Sequence, residues 1–387
     1  MPQFAATMSV HPNSFEAAAE CAGEVLEQLD GNRPDLVVVA CTPPHRRDLA
    51  DVSAGLRKLL ECDTLVGTVS SEVAVALTDA PGPGGAAGFA VFAADWGGGR
   101  ARPLRLEATA TGADRRISGW PDDLPASGTL VLFADPLTFP VDDLIAICAQ
   151  HAPDLEIVGG LMPLSGRGAL AIDDSVHERG AVGVLLDPSV GVRAHLAPAC
   201  RPIGSPFTVT RAEHTVITEL AGRAPFARLR EAVVAHHDRR GADRDRDHDC
   251  DAAIAEMMHS VRVGVVVDEQ RCDFGPGDFV LRDVRHIDQR NGAISLSNIV
   301  RPGQTVQFHL PDDGPADPPD VAMPKGALVF SPGADASGLG GPARHASDLS
   351  ARFGRLPLLG MAAAGEIGRV RGRTFVQSGV ASIACFA

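Results

Sequence analysis

The same succession of segments occurs three times along the 387-residue chain, and this repetition constrains the fold more than any other feature. Each block has a short Val/Leu-rich run, a segment of helical character, an apolar run containing Gly, a small-residue loop, and a last Gly-preceded apolar run. The opening runs are PDLVVVACT (34–42), GTLVLFADP (128–136) and KGALVFSPG (325–333). Nearly continuous apolar runs of this length are typical of strands buried on both faces.

The segment that follows each opening run spaces its apolar residues at i, i+3 and i+4, as an amphipathic helix does. These segments are 48–61, 141–153 and 343–356. A strand–helix–strand unit of this size implies a right-handed parallel crossover, to which the last strand adds in antiparallel sense. We therefore predict an α/β protein in which repeated strand–helix–strand units form mixed β-sheets covered by helices. We also expect the three units to superpose as structural repeats.

The chain between the second and third blocks has a different character. Residues 217–237 have the spacing of a helix, whereas 275–288, 291–300 and 304–310 alternate apolar and polar residues with turn dipeptides between them. Alternation of this kind predicts an antiparallel meander in the C-terminal half. The polar stretch 97–123, between the first and second blocks, is expected to form a loop.

The charge and composition of the chain argue against several classes of binding partner. The net charge of −14 argues against a face that neutralises phosphates, and therefore against nucleic acid or an anionic membrane surface as a partner. Aromatic residues make up 4% of the chain and tyrosine is absent, which disfavours a base-stacking platform. No apolar run approaches the roughly 18–20 residues of a membrane span, and the N-terminus lacks a secretory pattern, so we expect a cytoplasmic protein.

The sequence predicts neither a metal nor a cofactor. The eight cysteines are scattered with no C-x-x-C pair, which favours free thiols in a reducing compartment over disulfides. The run 236–251 alternates charge without the ligand spacing of a zinc site and is expected to be a solvated loop. The Gly-rich stretches at 82–85 and 338–341 match no phosphate-binding loop.

A family resemblance rests on the order and spacing of five stretches over more than 300 residues. They are LVGTVSSEV (65–73), ACRPIGSPFTVT (199–210), GDFVLRDVRHID (277–288), TVQFHL (305–310) and LLGMAAAGEIG (358–368), the last followed by TFVQSGVASIACF. In this order they resemble FIST proteins, which are intracellular signal-transduction sensors with consecutive FIST N and FIST C domains.

The resemblance implies a domain division and a general function. We expect an N-terminal extension at 1–29, a FIST N domain at 30–199 and a FIST C domain at 200–387. Family membership implies the binding of small ligands, with amino acids among those proposed, and signalling without an assigned chemistry. The first block departs from the family pattern, because it has Ser-Ser-Glu where a second Gly more often precedes the Glu.

The small-residue loop of the third block is the first candidate site, with Gly360, Gly365 and Glu366 as ligand-binding residues. Small side chains let a ligand approach backbone N–H groups, and Gly permits backbone angles that other residues avoid. Glu366 would accept a hydrogen bond from an ammonium group. The alternative is a turn at a strand end in which the Glu caps local backbone donors.

Two further candidates lie in the C-terminal half. Arg201 would bind a carboxylate while Cys200 lines the pocket. A lowered thiol pKa would make Cys200 a nucleophile. The alternative is a structural Arg beside a buried Cys. Arg282 and His286 alternate with their neighbours on a predicted strand, so with Asp288 they would share one face and bind an anionic ligand. A solvated sheet face is the alternative there.

These observations lead to one functional expectation and two alternatives. We expect a sensory protein that binds a small ligand without catalysis and passes a signal to a protein partner. The alternatives are a protein-interaction adaptor and an enzyme that uses Cys200 or Glu366.

Overall fold

The computed structural model describes residues 2–75, 88–98, 100–111, 114–121, 125–162, 169–239, 256–258, 260–271, 273–312, 323–334 and 339–387. The helices are α1 (Ser14–Gln28), α2 (Leu49–Leu59), α3 (Val141–His151), α4 (Pro225–Arg239) and α5 (Gly341–Phe353), with short 3-10 helices at Pro43–Asp48, Pro188–Val190 and Pro276–Asp278. The strands are β1 (Gln3–Ser9), β2 (Leu36–Cys41), β3 (Thr64–Val69), β4 (Val73–Val75), β5 (Phe89–Asp95), β6 (Ala101–Thr111), β7 (Asp114–Ser118), β8 (Ser127–Ala134), β9 (Asp154–Leu161), β10 (Leu170–Ile172), β11 (Ser175–His177), β12 (Ala181–Leu186), β13 (Val192–Pro198), β14 (Cys200–Glu213), β15 (Val216–Leu220), β16 (Arg262–Val266), β17 (Phe279–Asp288), β18 (Ala293–Leu296), β19 (Thr305–Pro311), β20 (Gly326–Ser331), β21 (Leu358–Ala362), β22 (Gly365–Val370), β23 (Arg373–Gln377) and β24 (Val380–Phe386).

These strands form three mixed sheets and a closed barrel. Sheet I has the order β1-β5-β2-β3-β10-β11, sheet II the order β23-β22-β9-β8-β12-β6-β7, and sheet III the order β13-β24-β20-β21-β4. The barrel closes in the order β14-β15-β18-β17-β16-β19. The predicted α/β class with several mixed sheets is confirmed. Each sheet contains one parallel pair, namely β2–β3, β8–β9 or β20–β21, and its other pairs are antiparallel.

The three blocks exchange short strands with one another. Strand β4 of the first block pairs with β21 of the third, β10 of the second pairs with β3 of the first, and β22 of the third pairs with β9 of the second. Each block therefore completes the sheet of another. Superposition of the three units as structural repeats stays a prediction.

One hydrophobic core fills the space between the three sheets. It includes Phe92 of sheet I, Phe133 of sheet II, and Phe330 and Phe386 of sheet III. The Phe133 and Phe330 ring centroids are 5.4 Å apart, as are those of Phe92 and Phe386, which is contact distance for aromatic pairs. The opposite faces of the sheets are covered by α1 and α2, by α3 and by α5, as the helical spacing predicts.

Three local predictions from the sequence are wrong in part. Residues 216–220, at the start of the predicted 217–237 helix, form β15, and α4 begins only at Pro225. The predicted antiparallel meander is correct for β17 and β18, which pair, but β19 pairs with β14 and β16 instead of β18 and so closes the barrel. Much of the stretch expected to be a loop, 97–123, forms the β6–β7 hairpin. Its alternating charged residues suit an exposed edge of a sheet.

Candidate functional site

The β22–β23 hairpin of the third block forms the edge of sheet II that lies against the barrel, and several of the candidate residues lie in it or next to it. On one side β22 pairs with β9. On the other side the hairpin contacts β17 of the barrel: the Ser378 backbone N–H donates to the Leu281 carbonyl at 3.2 Å, and Arg282 Nη1 donates to the Val376 carbonyl at 2.8 Å. The sequence after Gly365 thus joins the two halves of the molecule.

Glu366 is a buried carboxyl in this hairpin, with 1% of its surface exposed. Burial raises its pKa well above the usual range, and the negative charge of Asp283 raises it further; a hydrogen bond from the Val380 backbone and the charge of Arg262 act in the opposite direction. Its Oε2 atom has no hydrogen-bond partner within the described part of the chain. Glu366 is thus a buried acid that tends to hold its proton.

The other two blocks show how unusual this carboxyl is. In each block a Gly of the second parallel strand pairs with a residue of the first strand on one side and with a residue of the exchanged strand on the other. These glycines are Gly67, Gly159 and Gly360. Counted from that register, the positions equivalent to Glu366 are Val73 and Leu170, which both pack in the central core. A buried carboxyl destabilises the fold relative to an apolar residue, so its presence at this one position points to a function.

An ion-paired network lies beside Glu366. Arg262 Nε is 2.8 Å from Asp283 Oδ1, and Ser378 Oγ donates to Asp283 Oδ2 at 3.0 Å. These three side chains come from β16, from β17 and from the turn after β23. The network therefore fixes the hairpin against the barrel.

A cavity of about 390 Å³, which we call the α3–barrel cavity, opens next to this network. Asp142 and Asp143 of the first turn of α3 line one side, and Arg282 and Arg285 of β17 line another. Burial lowers the pKa of Arg282, and the nearby charge of Asp142 opposes that change. Gly365 also lines this cavity. It is a polar cleft in which acidic and basic side chains are both present.

Strand alternation places Gly365 and Glu366 on opposite faces. Ile367 packs with α3, so Gly365 faces α3 as well, whereas Gly368 lies against Leu196 of β13 and Glu366 faces that way. Gly365 is consequently among the residues that line the α3–barrel cavity, and the Glu366 side chain lies on the opposite face of the hairpin.

The register also shows which residues take the place of Gly365 in the other two blocks. The positions equivalent to Gly365 are Glu72 in the first block and Ala169 in the second. Glu72 reaches into the facing loop, where its Oε1 accepts a 2.8 Å hydrogen bond from the Ala334 N–H. In the first block the Glu therefore has a structural role. In the third block Gly occupies this position, and a Cβ added to it would come within 3.1 Å of Leu161 and 3.2 Å of Val376. The corresponding loop of the second block, 163–168, lies outside the described residues.

The structure places the remaining predicted residues in different surroundings. Arg282 lines the α3–barrel cavity together with Gly365. Gly360 lies under the start of α5, where an added Cβ would come within 3.1 Å of Pro342. Arg201 is half exposed and pairs with Asp312. The sequence predicted that Arg201 binds the carboxylate of a ligand, but in the structure Arg201 forms an ion pair with an acid of its own chain.

Arg282 and His286 do not share a cavity. A β-bulge between Val284 and His286 interrupts the alternation of β17, so the continuous row expected from the sequence is not formed. His286 is exposed and lines a separate cavity between α4 and the barrel, with Phe226 and Met258.

Cys200 is buried at the start of β14, and burial raises its pKa to about 12. A thiol with this pKa stays protonated near neutral pH and is a poor nucleophile. Its Sγ lies 3.2 Å from the place that a Cβ on Gly379 would occupy, so this thiol packs closely against the turn after β23. The geometry favours the structural interpretation of Cys200 over the nucleophilic one.

Sequence reasoning missed Asp142, Arg262, Asp283, Gln377 and Ser378. Ser378 and Gln377 belong to the QSG turn that follows the hairpin, and that turn was within the family stretch; its polar residues between two buried strands were the available signal. Arg262 and Asp142 carry no such signal, since each is one polar residue among many at the edge of a secondary-structure element.

The described cysteines at 21, 41, 62, 148, 200 and 385 are buried free thiols. Within the described residues, no group of three or more His, Cys, Asp or Glu side chains has the arrangement of a metal site. The charged run predicted at 236–251 lies mostly outside them. Among the helices of the described ranges, none combines the length and the hydropathy needed to cross a membrane.

Comparison with known proteins gives one family and several full-length relatives. The model of the FIST N domain family matches residues 35–223. An uncharacterized protein of Mycobacterium bovis is 32% identical over 394 residues, covering 97% of this chain and 96% of the relative. An uncharacterized protein of Mycobacterium tuberculosis is 32% identical over 406 residues, covering 98% of both chains.

Proposed function

Because the chain belongs to the FIST family, which is associated with sensing and signal transduction, we propose that it is a sensory protein that binds a small zwitterionic ligand in the α3–barrel cavity. An amino acid is the ligand class that fits this proposal best. The protein acts by binding and not by catalysis, and an output protein reads its bound state.

The distribution of charge in the cavity carries the proposal. The α3 side presents the pair Asp142 and Asp143, and the β17 side presents the pair Arg282 and Arg285. Arg115, which lies 3.6 Å from Asp143, and Asp283 also line the cavity. A free amino acid offers an ammonium group to the first pair and a carboxylate to the second, and charge-assisted hydrogen bonds of both kinds are the strong ones. A volume of about 390 Å³ is sufficient for such a molecule and lies in the usual range of ligand pockets.

The position of the cavity supports a sensory role. Its walls come from the start of α3, the loop before it and the end of β9 in the second block, from the exchanged β22–β23 hairpin of the third block, and from the barrel. A ligand that bridges these parts stabilises one arrangement of them over others, and only such a differential interaction shifts a conformational equilibrium. The Arg262–Asp283–Ser378 network lies at the same junction, so we expect its contacts to change first when a ligand binds.

The proposal excludes catalysis for chemical reasons. The thiol of Cys200 is held protonated by burial, and burial lowers the pKa of the neighbouring His309 to about 4, so neither group is poised as a nucleophile or base near neutral pH. Glu366 lies behind the cavity wall and is not among the groups that a ligand in the α3–barrel cavity would touch.

Thermal-shift and calorimetric titrations with the free amino acids test the proposal, since a ligand that binds only the native state raises its melting temperature. For each amino acid that binds, the deaminated carboxylate and the C-terminal amide should both bind at least about tenfold more weakly, because each lacks one charge-assisted contact. If no amino acid raises the melting temperature, or if the analogues bind as well, the proposal is wrong.

A matched pair of variants locates the site. Asp142→Asn removes an acid from the first turn of α3 inside the cavity, and Asp51→Asn removes an acid from the first turn of α2, away from it. Both variants lose the same favourable interaction with a helix N-terminus. Asp142→Asn should weaken amino-acid binding by about tenfold or more, and Asp51→Asn should leave it unchanged. Equal affinities in the two variants would place the ligand elsewhere.

A further inference from the structure

A second cavity, of about 230 Å³, lies on the other face of the β22–β23 hairpin. We call it the β13–barrel cavity, because β13 and the barrel form most of its wall; Leu196, Cys200, Phe279, His309, Gln377 and Val380 are among its lining residues. It faces the side toward which Glu366 turns. The hairpin lies between it and the α3–barrel cavity, and Gln377 at the end of β23 lines both cavities.

Apart from His195 and two arginines, the residues that line this cavity are apolar or carry uncharged polar groups. Leu196, Phe279 and Val380 supply hydrocarbon and aromatic surface. Cys200 and His309 are both about 2% exposed, and burial keeps the thiol protonated and the imidazole neutral. A charged ligand would lose its hydration here without meeting an opposite charge on these groups.

Two arginines lie on the same wall, but acids and carbonyl groups of the chain already engage them. Arg369 donates to the Pro153 carbonyl at 2.6 Å and is 3.9 Å from Glu156. Arg371 forms an ion pair with Asp278, a buried carboxylate. An anionic ligand would have to compete with these partners.

Gln377 supplies a hydrogen-bond donor at this wall. Its Oε1 accepts from the Leu281 N–H at 3.3 Å, which fixes the direction of the amide. Its Nε2, in a side chain that is 2% exposed, has no hydrogen-bond partner within the described residues. A buried donor without an acceptor is unfavourable, so an acceptor brought by a ligand would be favoured at this place.

We propose that the β13–barrel cavity is a second binding site, for a small uncharged molecule with a hydrocarbon body and a carbonyl oxygen that accepts from Gln377. Aldehydes, ketones, lactones and amides belong to this class. The site is distinct from the α3–barrel cavity and does not depend on the function proposed for it.

Gly277 offers a way to close the site without disturbing the backbone. It lines the cavity, and a Cβ added to it would have no heavy atom within 4 Å. Gly23 of α1 has equally open surroundings and is far along the chain from the cavity. Gly277→Phe should therefore fill the entrance, and Gly23→Phe is the matched control for adding a phenyl group at an exposed Gly.

Three cyclic probes of one shape test the ligand class: cyclohexanone, cyclohexanecarboxylate and cyclohexylammonium, titrated by ligand-observed NMR. Cyclohexanone should bind the wild type and Gly23→Phe saturably, and at least about tenfold more weakly to Gly277→Phe because the space is filled. Both charged probes should bind the wild type at least about tenfold more weakly than cyclohexanone. Equal binding of cyclohexanone to the two Phe variants, or tighter binding of a charged probe, would overturn the proposal.

Gln377→Met tests the hydrogen bond with little change in side-chain length. Loss of one neutral hydrogen bond should weaken cyclohexanone binding by about fivefold. The melting curve of the Gln377→Met variant reports whether it is folded. If the folded Gln377→Met variant binds cyclohexanone as tightly as the wild type, the Gln377 amide does not contact the ligand. An amino-acid titration of Gly277→Phe separates the two proposals, because a shift retained there while cyclohexanone binding is lost means that the sites are independent.

Discussion

Glu366 lies directly opposite Gln377 across the antiparallel β22–β23 pair, and both side chains are almost completely buried. Within the described residues, each has a polar atom without a hydrogen-bond partner, namely Oε2 of Glu366 and Nε2 of Gln377. Buried polar atoms are nearly always paired in folded proteins, and exceptions concentrate where function outweighs stability. Two of them occur in this one cross-strand pair, between the two cavities that we propose as binding sites.

Glu366→Gln should change how stability depends on pH. The pKa of Glu366 is raised in the folded state, so between the ordinary Glu pKa and the raised value the native protein binds a proton that the unfolded chain has released. Wild-type stability therefore falls as pH rises through that window, and above the raised pKa this contribution is flat. The Gln variant lacks this loss, so at high pH it should have the larger free energy of unfolding. The difference between the two proteins should become smaller toward acid pH.

Urea unfolding at a series of pH values from about 4 to 9 measures the effect, since the midpoint and slope give the free energy of unfolding at each pH. Wild-type and Glu366→Gln curves that run parallel across this range would show that Glu366 does not titrate with a raised pKa. A variant that is less stable at every pH would show that its carboxyl is a structural acceptor.

The local part of the fold was predictable from the sequence because it depends on short-range periodicity. The spacing of Leu49, Val52 and Leu56 predicted α2, and the continuous apolar runs predicted β2, β8 and β20 as buried strands. The exchange of β4, β10 and β22 between blocks was not predictable, because a three-residue strand such as Val73–Val75 carries no information about which distant edge it joins.

The candidate site was predictable only in part, for the same reason. Gly365 and Arg282 were expected from their motifs, and they do line one cavity. Asp142 and Arg262 reach the same junction from helices and strands far apart in the chain, and nothing in their local sequence marks them. The bulge that separates Arg282 from His286 could not be predicted from a strict two-residue period, because one extra residue reverses the facing of every side chain beyond it.

Gly379→Ala should destabilise the protein more than Gly372→Ala does. Both glycines have φ near +77°, so Ala adds about 1 kcal/mol of backbone strain at either position. At Gly372 a Cβ has no heavy atom within 4 Å, whereas at Gly379 it would come within 3.2 Å of Cys200 Sγ. The contact adds overpacking, and the total for Gly379→Ala should reach about 2–3 kcal/mol.

Equilibrium unfolding of the two variants checks the difference. The double variant Gly379→Ala with Cys200→Ala should recover part of the loss, because the smaller side chain relieves the contact. Equal destabilisation by both single variants would mean that Cys200 does not pack against this turn as tightly as the structure indicates.

Cys200 should be unreactive toward iodoacetamide in the native protein. With a pKa of about 12, the thiolate fraction at pH 8 is on the order of 10⁻⁴, and alkylation proceeds through the thiolate. Peptide mass spectrometry should find Cys200 alkylated at least about 100-fold more slowly than after unfolding in urea. Labelling of native Cys200 at the rate of an exposed thiol would revive the enzyme alternative.

Asp283→Asn should have two separable effects, because Asp283 neutralises Arg262 and also raises the pKa of Glu366. The Arg262 side chain is 12% exposed and that of Asp283 is 23% exposed, so removal of one partner leaves a poorly solvated cation. We expect a loss of about 2 kcal/mol, below the range for fully buried pairs because both groups retain some water. The second effect acts through Glu366, whose pKa falls toward the ordinary value when the neighbouring negative charge is removed.

A double-mutant cycle with Glu366→Gln separates these effects, because the amide that replaces the carboxyl has no proton to lose. The destabilisation caused by Asp283→Asn should be smaller in the wild-type background than in the Glu366→Gln background at high pH, where relief of the buried carboxylate offsets part of the lost ion pair. Near pH 4 the two backgrounds should give the same loss, since the Glu366 carboxyl of the wild-type background is then protonated in the native protein and is as uncharged as the amide. A coupling free energy that is zero at every pH would mean that the two carboxyl groups do not interact, and the raised pKa of Glu366 would then be a consequence of burial alone.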